Sequence, residues 1–333
     1  MNSVIRVAIH PSQFPDQVRR DLVDSLRRRQ VNHKFHYDTV KQAQKWLKLH
    51  ETYSPAQTDP DCQATYDRSF DAVAARLSNG TTQLIGLGCG AGQKDARLLS
   101  LLEEREIDAG YVPVDVSVAL VLVAQQTTAN ITRLCLPLVF DLATADDLPQ
   151  VFDRELPSDA ERLFTFFGMI PNFEPDLILP RLRSLVRPQD WLLFSANLAP
   201  GSDYQKGMEK ILLLYDNALT RDWLITFLLD LGIERTDGKI IVRIENGSTA
   251  LKRIVADFEF SSRRHIEVEQ QQFEFEPGDK MRLFFSYRYT AELVLSVLAN
   301  HGLEVLDRWI TKSEEEGVFL CRTKMPPSSS GPP

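Results

Sequence analysis

Cysteine is scarce. The four in 333 residues, Cys62, Cys89, Cys135 and Cys321, are far apart and lack metal-ligand spacing. That argues against a metal site or a disulfide framework, and for reduced thiols in a cytoplasmic protein. Long hydrophobic runs are missing too. No uninterrupted apolar stretch approaches the ~20 residues that cross a bilayer, so no membrane span is expected. Met1 to Asp21 interleaves Arg, His, Gln and Asp with apolar positions and shows no apolar signal-peptide core. Positive charge is outweighed, with 38 Lys+Arg against 46 Asp+Glu and a net charge of −8. Beyond Arg27-Arg28-Arg29 and Arg263-Arg264 there is no basic stripe to grip a phosphate backbone, so nucleic acid is not an expected partner. An ordinary 43% hydrophobic and 25% charged composition excludes a disordered, collagenous or coiled-coil chain, and the length suggests roughly two domains.

What is present is an alternation of short β-rich runs with helical patterns, the mark of a parallel sheet covered by helices. Strands are expected at Gln83–Leu87 (after the turn pair Asn79-Gly80), Tyr111–Val114, Leu134–Phe140, Arg162–Phe167 and Trp191–Ala196. Helices are expected at Gly92–Glu104, after the capping Ser117 as far as Ala129, and at Pro175–Val186. The rhythm then changes: Tyr204–Leu231 reads as helical and Lys239–Phe275 as strand-like, which suggests an insertion. It resumes with a helix capped by Thr290 and ending at Gly302. A hairpin follows, from Leu303–Ile310 through the turn Glu314-Glu315-Glu316-Gly317 to Val318–Cys321. Met325–Pro333 is a Pro/Ser/Gly tail with no apolar core.

The sharpest local feature is Gly86-Leu87-Gly88-Cys89-Gly90-Ala91-Gly92 between a strand and a helix. Glycines there allow a tight turn and let a ligand approach bare main chain at a helix N-terminus. Asp115 closes the second strand, where an acid can hold an adenosine ribose, and Asp141-Leu142 closes the third, where an acid can receive an adenine amino group. Each acid is also a plausible helix cap. The run Gly86-x-Gly88-x-x-Ala91 satisfies the dinucleotide fingerprint, so nicotinamide and S-adenosylmethionine (SAM) enzymes both remain open at this point.

Further segments resemble the histidine-specific SAM-dependent methyltransferases of ergothioneine biosynthesis and their fungal relatives that N-methylate dimethylallyltryptophan. The resemblance runs from about Lys34 to Thr323. Phe35-His36-Tyr37-Asp38 is similar to the family's Phe-Tyr-Asp segment, whose tyrosine touches the cofactor. Glu51-Thr52-Tyr53-Ser54-Pro55 is similar to its Glu-Tyr-Tyr-Pro segment, which closes over the substrate. Lys94 matches a lysine near the cofactor. Phe167-Gly168-Met169-Ile170-Pro171-Asn172-Phe173 resembles a shortened Gly-Ser-Thr-Ile-Gly-Asn-Leu segment. Tyr215-Asp216 resembles an Ala-Tyr-Asp-Asp stretch, and Phe285-Ser286-Tyr287-Arg288-Tyr289 a Ser-x-Lys-Phe or Ser-Tyr-Lys-Tyr run. Three positions depart from the pattern. Gly86 stands where SAM enzymes usually have an acid, one residue is missing before Asn172, and Phe284 replaces the glutamate that reads an imidazole.

The resemblance implies an α/β fold, a Rossmann-like class I methyltransferase sheet with an inserted smaller α+β substrate domain. The implied organisation is a helical segment of the substrate cap over 1–60, a SAM-binding part over 61–198, an insertion over 199–285, a return over 286–325 and a disordered tail over 326–333. The implied cofactor is SAM, held by Tyr37, Gly86, Gly88, Gly90, Lys94, Asp115, Asp141 and Leu142. The implied substrate contacts are Phe167, Gly168, Met169, Asn172, Tyr215, Phe284 and Ser286, with Tyr53, Asn172 and Tyr215 carrying the catalytic work and no metal. Because a phenyl ring cannot pair with an imidazole N–H, and an unmatched one costs about 1–3 kcal/mol, the expected partner is a small amino-acid-like molecule, aromatic or apolar rather than histidine. Two other readings stay open, a nicotinamide oxidoreductase and an inactive SAM-binding scaffold.

Overall fold

A computed structural model describes residues 4–324 except 79, 133, 248 and 249; the expected turn residue Asn79 and the tail Met325–Pro333 lie outside the described residues. Thirteen strands are assigned among them. The first six are β1 (Ala8–Ile9), β2 (Thr82–Leu87), β3 (Ala109–Asp115), β4 (Leu138–Val139), β5 (Glu161–Phe166) and β6 (Trp191–Asn197). Then come β7 (Gly238–Asn246), β8 (Lys252–Phe260), β9 (Arg264–Val268), β10 (Gln271–Phe275), β11 (Lys280–Arg288), β12 (Leu303–Ile310) and β13 (Glu316–Thr323). The helices are α1 (Pro15–Arg28), α2 (Val40–Tyr53), the single turn α3 (Pro55–Thr58), α4 (Pro60–Ala74), α5 (Gln93–Glu104) and α6 (Val118–Thr128). They continue with α7 (Leu148–Glu155), α8 (Pro175–Leu185), α9 (Tyr204–Leu212), α10 (Ala218–Asp230) and α11 (Ala291–Asn300).

Successive side chains of a strand point to opposite faces, and in the central strands both sets are apolar, as a doubly covered sheet requires. Leu84, Tyr111 and Leu163 pack with α4, α5 and α6 on one face. Ile85, Val112 and Phe164, their chain neighbours, pack with α7, α8 and α11 on the other. The eight-stranded sheet has the order β1-β4-β3-β2-β5-β6-β13-β12. Its first six strands are parallel, and the β12–β13 hairpin adds antiparallel to β6. This is the expected Rossmann-like α/β sheet. The chain leaves β2 to one side for β3 and β4 and returns on the other with β5, so the strand order reverses between β2 and β5. Ligands of open α/β sheets bind outside the carboxyl ends of the strands at such a reversal.

A separate antiparallel sheet, β11-β8-β7, lies over the main one with the hairpin β9–β10 nearby. Val255, Phe285 and Tyr287 of this sheet pack into the main core, while Ala256, Phe258 and Phe284 pack with α1, α10 and Phe35 in a second core. Two expectations are corrected here. The third strand, expected over Leu134–Phe140, shrinks to Leu138–Val139, with Cys135 making only an isolated bridge to Tyr111. Pro137 has no N–H to continue the ladder. The helix expected over Tyr204–Leu231 is two helices, because the chain breaks after Leu212 and Asn217 caps α10 by accepting from the Thr220 N–H at 2.9 Å. No helix of the described residues is long and apolar enough to cross a membrane.

Candidate functional site

A cavity of about 380 Å³ opens at the reversal of strand order. Its floor is the loop from β2 to α5. Gly88 and Gly90 adopt the left-handed region there, with φ of 67° and 53°. A Cβ on Gly88 would sit 2.5 Å from the Met169 sulfur, and one on Gly90 would sit 2.7 Å from the Trp46 ring. Both the backbone conformation and the close approach of Met169 and Trp46 therefore require glycine.

Two acids flank this loop. Asp115, the last residue of β3, accepts the Ser117 N–H at 3.1 Å and the Gly90 N–H at 3.2 Å. Burial pushes its carboxyl up to about 6 against the pull of those amides. Asp141 follows β4, and its Oδ1 accepts the Ala143 N–H at 2.9 Å. Its Oδ2 is buried without a hydrogen-bond partner among the described residues, with the Lys34 ammonium 3.8 Å away. Burial raises this carboxyl too, and Lys34 opposes the rise. An orphaned acceptor costs ~1–3 kcal/mol unless a ligand donor meets it. The acceptor, the bare glycine main chain and a second carboxylate with open lone pairs fit an adenosine, whose ribose hydroxyls and amino group are all donors. Leu142 lines the cavity beside Asp141.

Lys94 also lines the cavity, donating to the Tyr66 hydroxyl at 2.7 Å with its ammonium 4.2 Å from that ring's centre. Gly86, expected among the cofactor contacts, does not line the cavity. The space its side chain would fill holds the Asp95 carboxylate, whose Oδ2 lies 2.2 Å from an ideal Cβ on Gly86. Asp95 accepts from the Tyr111 hydroxyl at 2.7 Å and the Thr165 hydroxyl at 2.8 Å, and burial holds it at about 6. The acid missing from the strand thus has a counterpart on the first turn of α5.

The opposite wall gathers the expected substrate residues from distant parts of the chain. Phe167, Gly168 and Met169 follow β5, and Asn172 ends a single 3-10 turn over Ile170–Asn172; all line the cavity. The Gly168 N–H donates to Ser195 Oγ at 2.9 Å, fixing this turn to β6. Tyr215 lies in the break between α9 and α10, and its hydroxyl is 2.8 Å from Ser286 Oγ. A bulge in the β8–β11 pairing between Arg282 and Phe284 sets the register of β11. From there the two-residue strand period brings Phe284, Ser286 and Arg288 to the cavity while Phe285 and Tyr287 join the main core. Tyr37 lies between Trp46 and Trp223, at 5.9 and 5.6 Å between ring centres. Burial first, then Asp115 and Tyr215, pushes its phenol well above the usual range. Tyr53, 49% exposed, stands at the rim.

Sequence reasoning passed over Asp95, Arg288, Trp46, Trp223 and His33, which also line the cavity. The period of β11 was a signal for Arg288, two residues beyond Ser286. His33 meets Phe285 and Phe284 edge-on at 4.6 and 5.3 Å, and burial, with His36 beside it, lowers it to about 3. It is a neutral ring at any physiological pH.

Comparison with known proteins gives three findings. A family model described as histidine-specific methyltransferase, SAM-dependent, matches residues 18–231 and 243–323. A histidine N-alpha-methyltransferase of Mycolicibacterium smegmatis is 25% identical over 281 residues, covering 81% of this chain and 82% of that protein. Among solved structures, the magnesium protoporphyrin IX methyltransferase of Synechocystis PCC 6803 with bound SAH is 11% identical, with a TM-score of 0.45 over 87% of this chain and 97% of that one. The mitomycin 7-O-methyltransferase is 15% identical, with a TM-score of 0.40 over 94% of this chain and 69% of that one.

Proposed function

As the chain belongs to the histidine-specific SAM-dependent methyltransferases, we propose that it methylates the α-amino nitrogen of an amino acid, or a small molecule derived from one, whose side chain is aromatic or apolar. Family membership removes the nicotinamide alternative and makes the chain a SAM-dependent methyltransferase. The observation that carries the finer reading is Phe284. It faces the cavity between Tyr215, 6.1 Å away between ring centres, and Trp223, 5.9 Å away, and offers an imidazole neither charge nor hydrogen bond.

When bound, SAM supplies a methyl group already activated on a sulfonium, so the protein's contribution is binding, alignment and exclusion of water. In this reading Gly88 and Gly90 offer bare main chain to the cofactor, Asp115 takes its ribose hydroxyls, and Asp141 with Leu142 receives its adenine. Lys94 lines the same site. Tyr37 and Tyr53 shield the reacting region from water and face positive charge with their rings, a contact worth ~0.5–2 kcal/mol. Asn172 and Tyr215 hold the polar end of the substrate with neutral, directional groups. The boundary expected at 286 cuts β11, which runs to Arg288 in the small sheet, so the substrate side would be formed by 1–60 and 199–288 and the cofactor side by 61–198 with the chain after Arg288.

The test is transfer of labelled methyl from SAM to a panel of free L-amino acids, with nitrogen attachment located by fragmentation mass spectrometry. Aromatic or large aliphatic amino acids are expected to be methylated at least tenfold faster than histidine. Histidine as the preferred acceptor, or label on carbon or oxygen, would overturn the proposal.

A further inference from the structure

Burying a guanidinium is expensive, and this group does not discharge at physiological pH. The other arginines around the small sheet follow the rule that such a charge is neutralised locally. Arg253 pairs with Glu174 at 2.9 Å and Glu245 at 2.8 Å, Arg243 with Glu245 and Asp257 at 2.7 Å each, and Arg282 with Glu245 and Asp257. Arg288, only 6% exposed, does not. No carboxylate of the described residues lies within 4.0 Å of it, and its Nε is buried without a hydrogen-bond partner. Among the described residues its guanidinium donates to the Tyr215 hydroxyl, from Nη2 at 2.7 Å, and its guanidinium carbon lies 5.3 Å from that ring's centre.

The cavity does contain acids, but they are engaged elsewhere. Asp95 is held by Tyr111 and Thr165, Asp115 by backbone amides, Glu315 by Lys210 and Glu316 by Tyr66. Asp141, at the end of β4, has Lys34 as its nearest cation. Meanwhile the backbone of Arg288 is fixed, because the Tyr204 hydroxyl donates to its carbonyl. The fold therefore positions an uncompensated cation on the wall of a ligand cavity, beside two linked hydroxyls, Tyr215 and Ser286. A planar fork of donors next to two hydroxyls matches a carboxylate.

We propose that Arg288, with Tyr215 and Ser286, is the anion seat of the substrate pocket, so that the methyl acceptor must carry a free carboxylate and Arg288 selects for it. This rests on the reading of the cavity as an amino-acid N-methylation site and narrows it. Esters, amides and decarboxylated amines bearing the same side chain are excluded, because they would leave the guanidinium buried without a counter-charge. The carboxylate lies at the Arg288 end of β11, and the side chain runs past Ser286 toward Phe284, a step of ~13 Å along the strand.

The experiment measures binding by calorimetry in the presence of saturating SAH. Its probes are L-tryptophan and L-leucine, each compared with its methyl ester and its decarboxylated amine. The free acids are expected to bind roughly 100-fold more tightly than either derivative, the usual effect of removing one partner of a buried charge pair. In Arg288→Gln the acids should weaken roughly 100-fold while the amines and SAH itself stay within threefold, and Arg288→Lys should recover part of the loss. Equal binding of acids and amines to the unaltered protein overturns the proposal whether or not the glutamine variant folds. So does an acid affinity unchanged in Arg288→Gln. Efficient methylation of an amine lacking the carboxylate sinks this inference and leaves the methyltransferase reading standing. Binding of none of the six probes, with SAH bound, overturns the amino-acid reading itself.

Discussion

Asp115 carries a charge that the folded protein holds with difficulty: two backbone amides favour its carboxylate, and burial, the larger effect, raises it to about 6. Ribose hydroxyls are donors and bind the ionised form best. On the proposed ribose contact, the free protein must lose a proton to bind once the pH is below about 6, so affinity for SAH should be full above pH 7 and fall below pH 6, approaching about tenfold per pH unit. Calorimetric titration at pH 7.5 and 5.0 tests this. Asp115→Asn should bind at least about tenfold more weakly at pH 7.5, with a flatter pH profile to which the other carboxyls raised by burial, Asp95 near 6 and Asp141, still contribute. Equal affinities at the two pH values in the unaltered protein would remove Asp115 from the site. Asp115, like Gly88, could be found from the sequence because strand, loop and helix follow one another directly, so local order fixes position. Arg288 and His33 were hidden for the opposite reason. Their meaning lies in what is absent around them, a counter-charge and a hydrogen-bond partner, and a sequence does not display absences of that kind.

The unit formed by β2, its loop and α5 shows how a departure in sequence is absorbed by an element. Gly86 lacks a side chain, and Asp95 fills the space from the first turn of α5 while bonding Tyr111 on β3 and Thr165 on β5. Gly86→Ala places a methyl group 2.2 Å from the Asp95 Oδ2, which must move and loosen both hydroxyl bonds. Overpacking of this kind costs ~1–3 kcal/mol. Adding Asp95→Ser to Gly86→Ala removes the clash, so the pair should be less destabilising than the sum of its members by at least ~0.5 kcal/mol. Urea denaturation of the three variants measures this, and strict additivity would show that the two positions do not share one space. The same scale explains which elements could be read in advance. β2, β5 and β6 carry short, largely apolar runs buried on both faces, α5 carries apolar residues at helical spacing, and Ser117 and Thr290 cap α6 and α11 as their sequence suggests. β1 is two residues long, too short to show a period, and it exists only because β4 offers an edge at Leu138–Val139. The break before α10 was masked because Leu212, Leu213 and Leu214 continue an apolar run into a turn where Leu213 and Leu214 are exposed.

At the scale of the whole chain, the cavity belongs to no single element. Residues 32–56, the carboxyl ends of β2, β3 and β5, the α9–α10 break and the face of β11 each supply a wall. Ligand binding should therefore couple segments that are hundreds of residues apart. Trp46 of α2 packs over Gly90 and stacks on His50, at 4.9 Å between ring centres, so α2 is the wall nearest the glycine loop from the substrate side. A cofactor on that loop would hold α2 in place as well as the sheet. Because SAH binds the folded state and not the unfolded one, an excess of 100 times its dissociation constant should stabilise the chain by about 2.7 kcal/mol. The gain should be unevenly distributed. Hydrogen exchange is expected to slow in α2 and in the β2–α5 loop on adding SAH alone. In β11 and the α9–α10 break it should slow further only when an acceptor amino acid is also present. Protection of the β2–α5 loop without any in α2 would mean that the N-terminal wall stays open around the bound cofactor, and that the cavity is not closed by the contacts of Trp46.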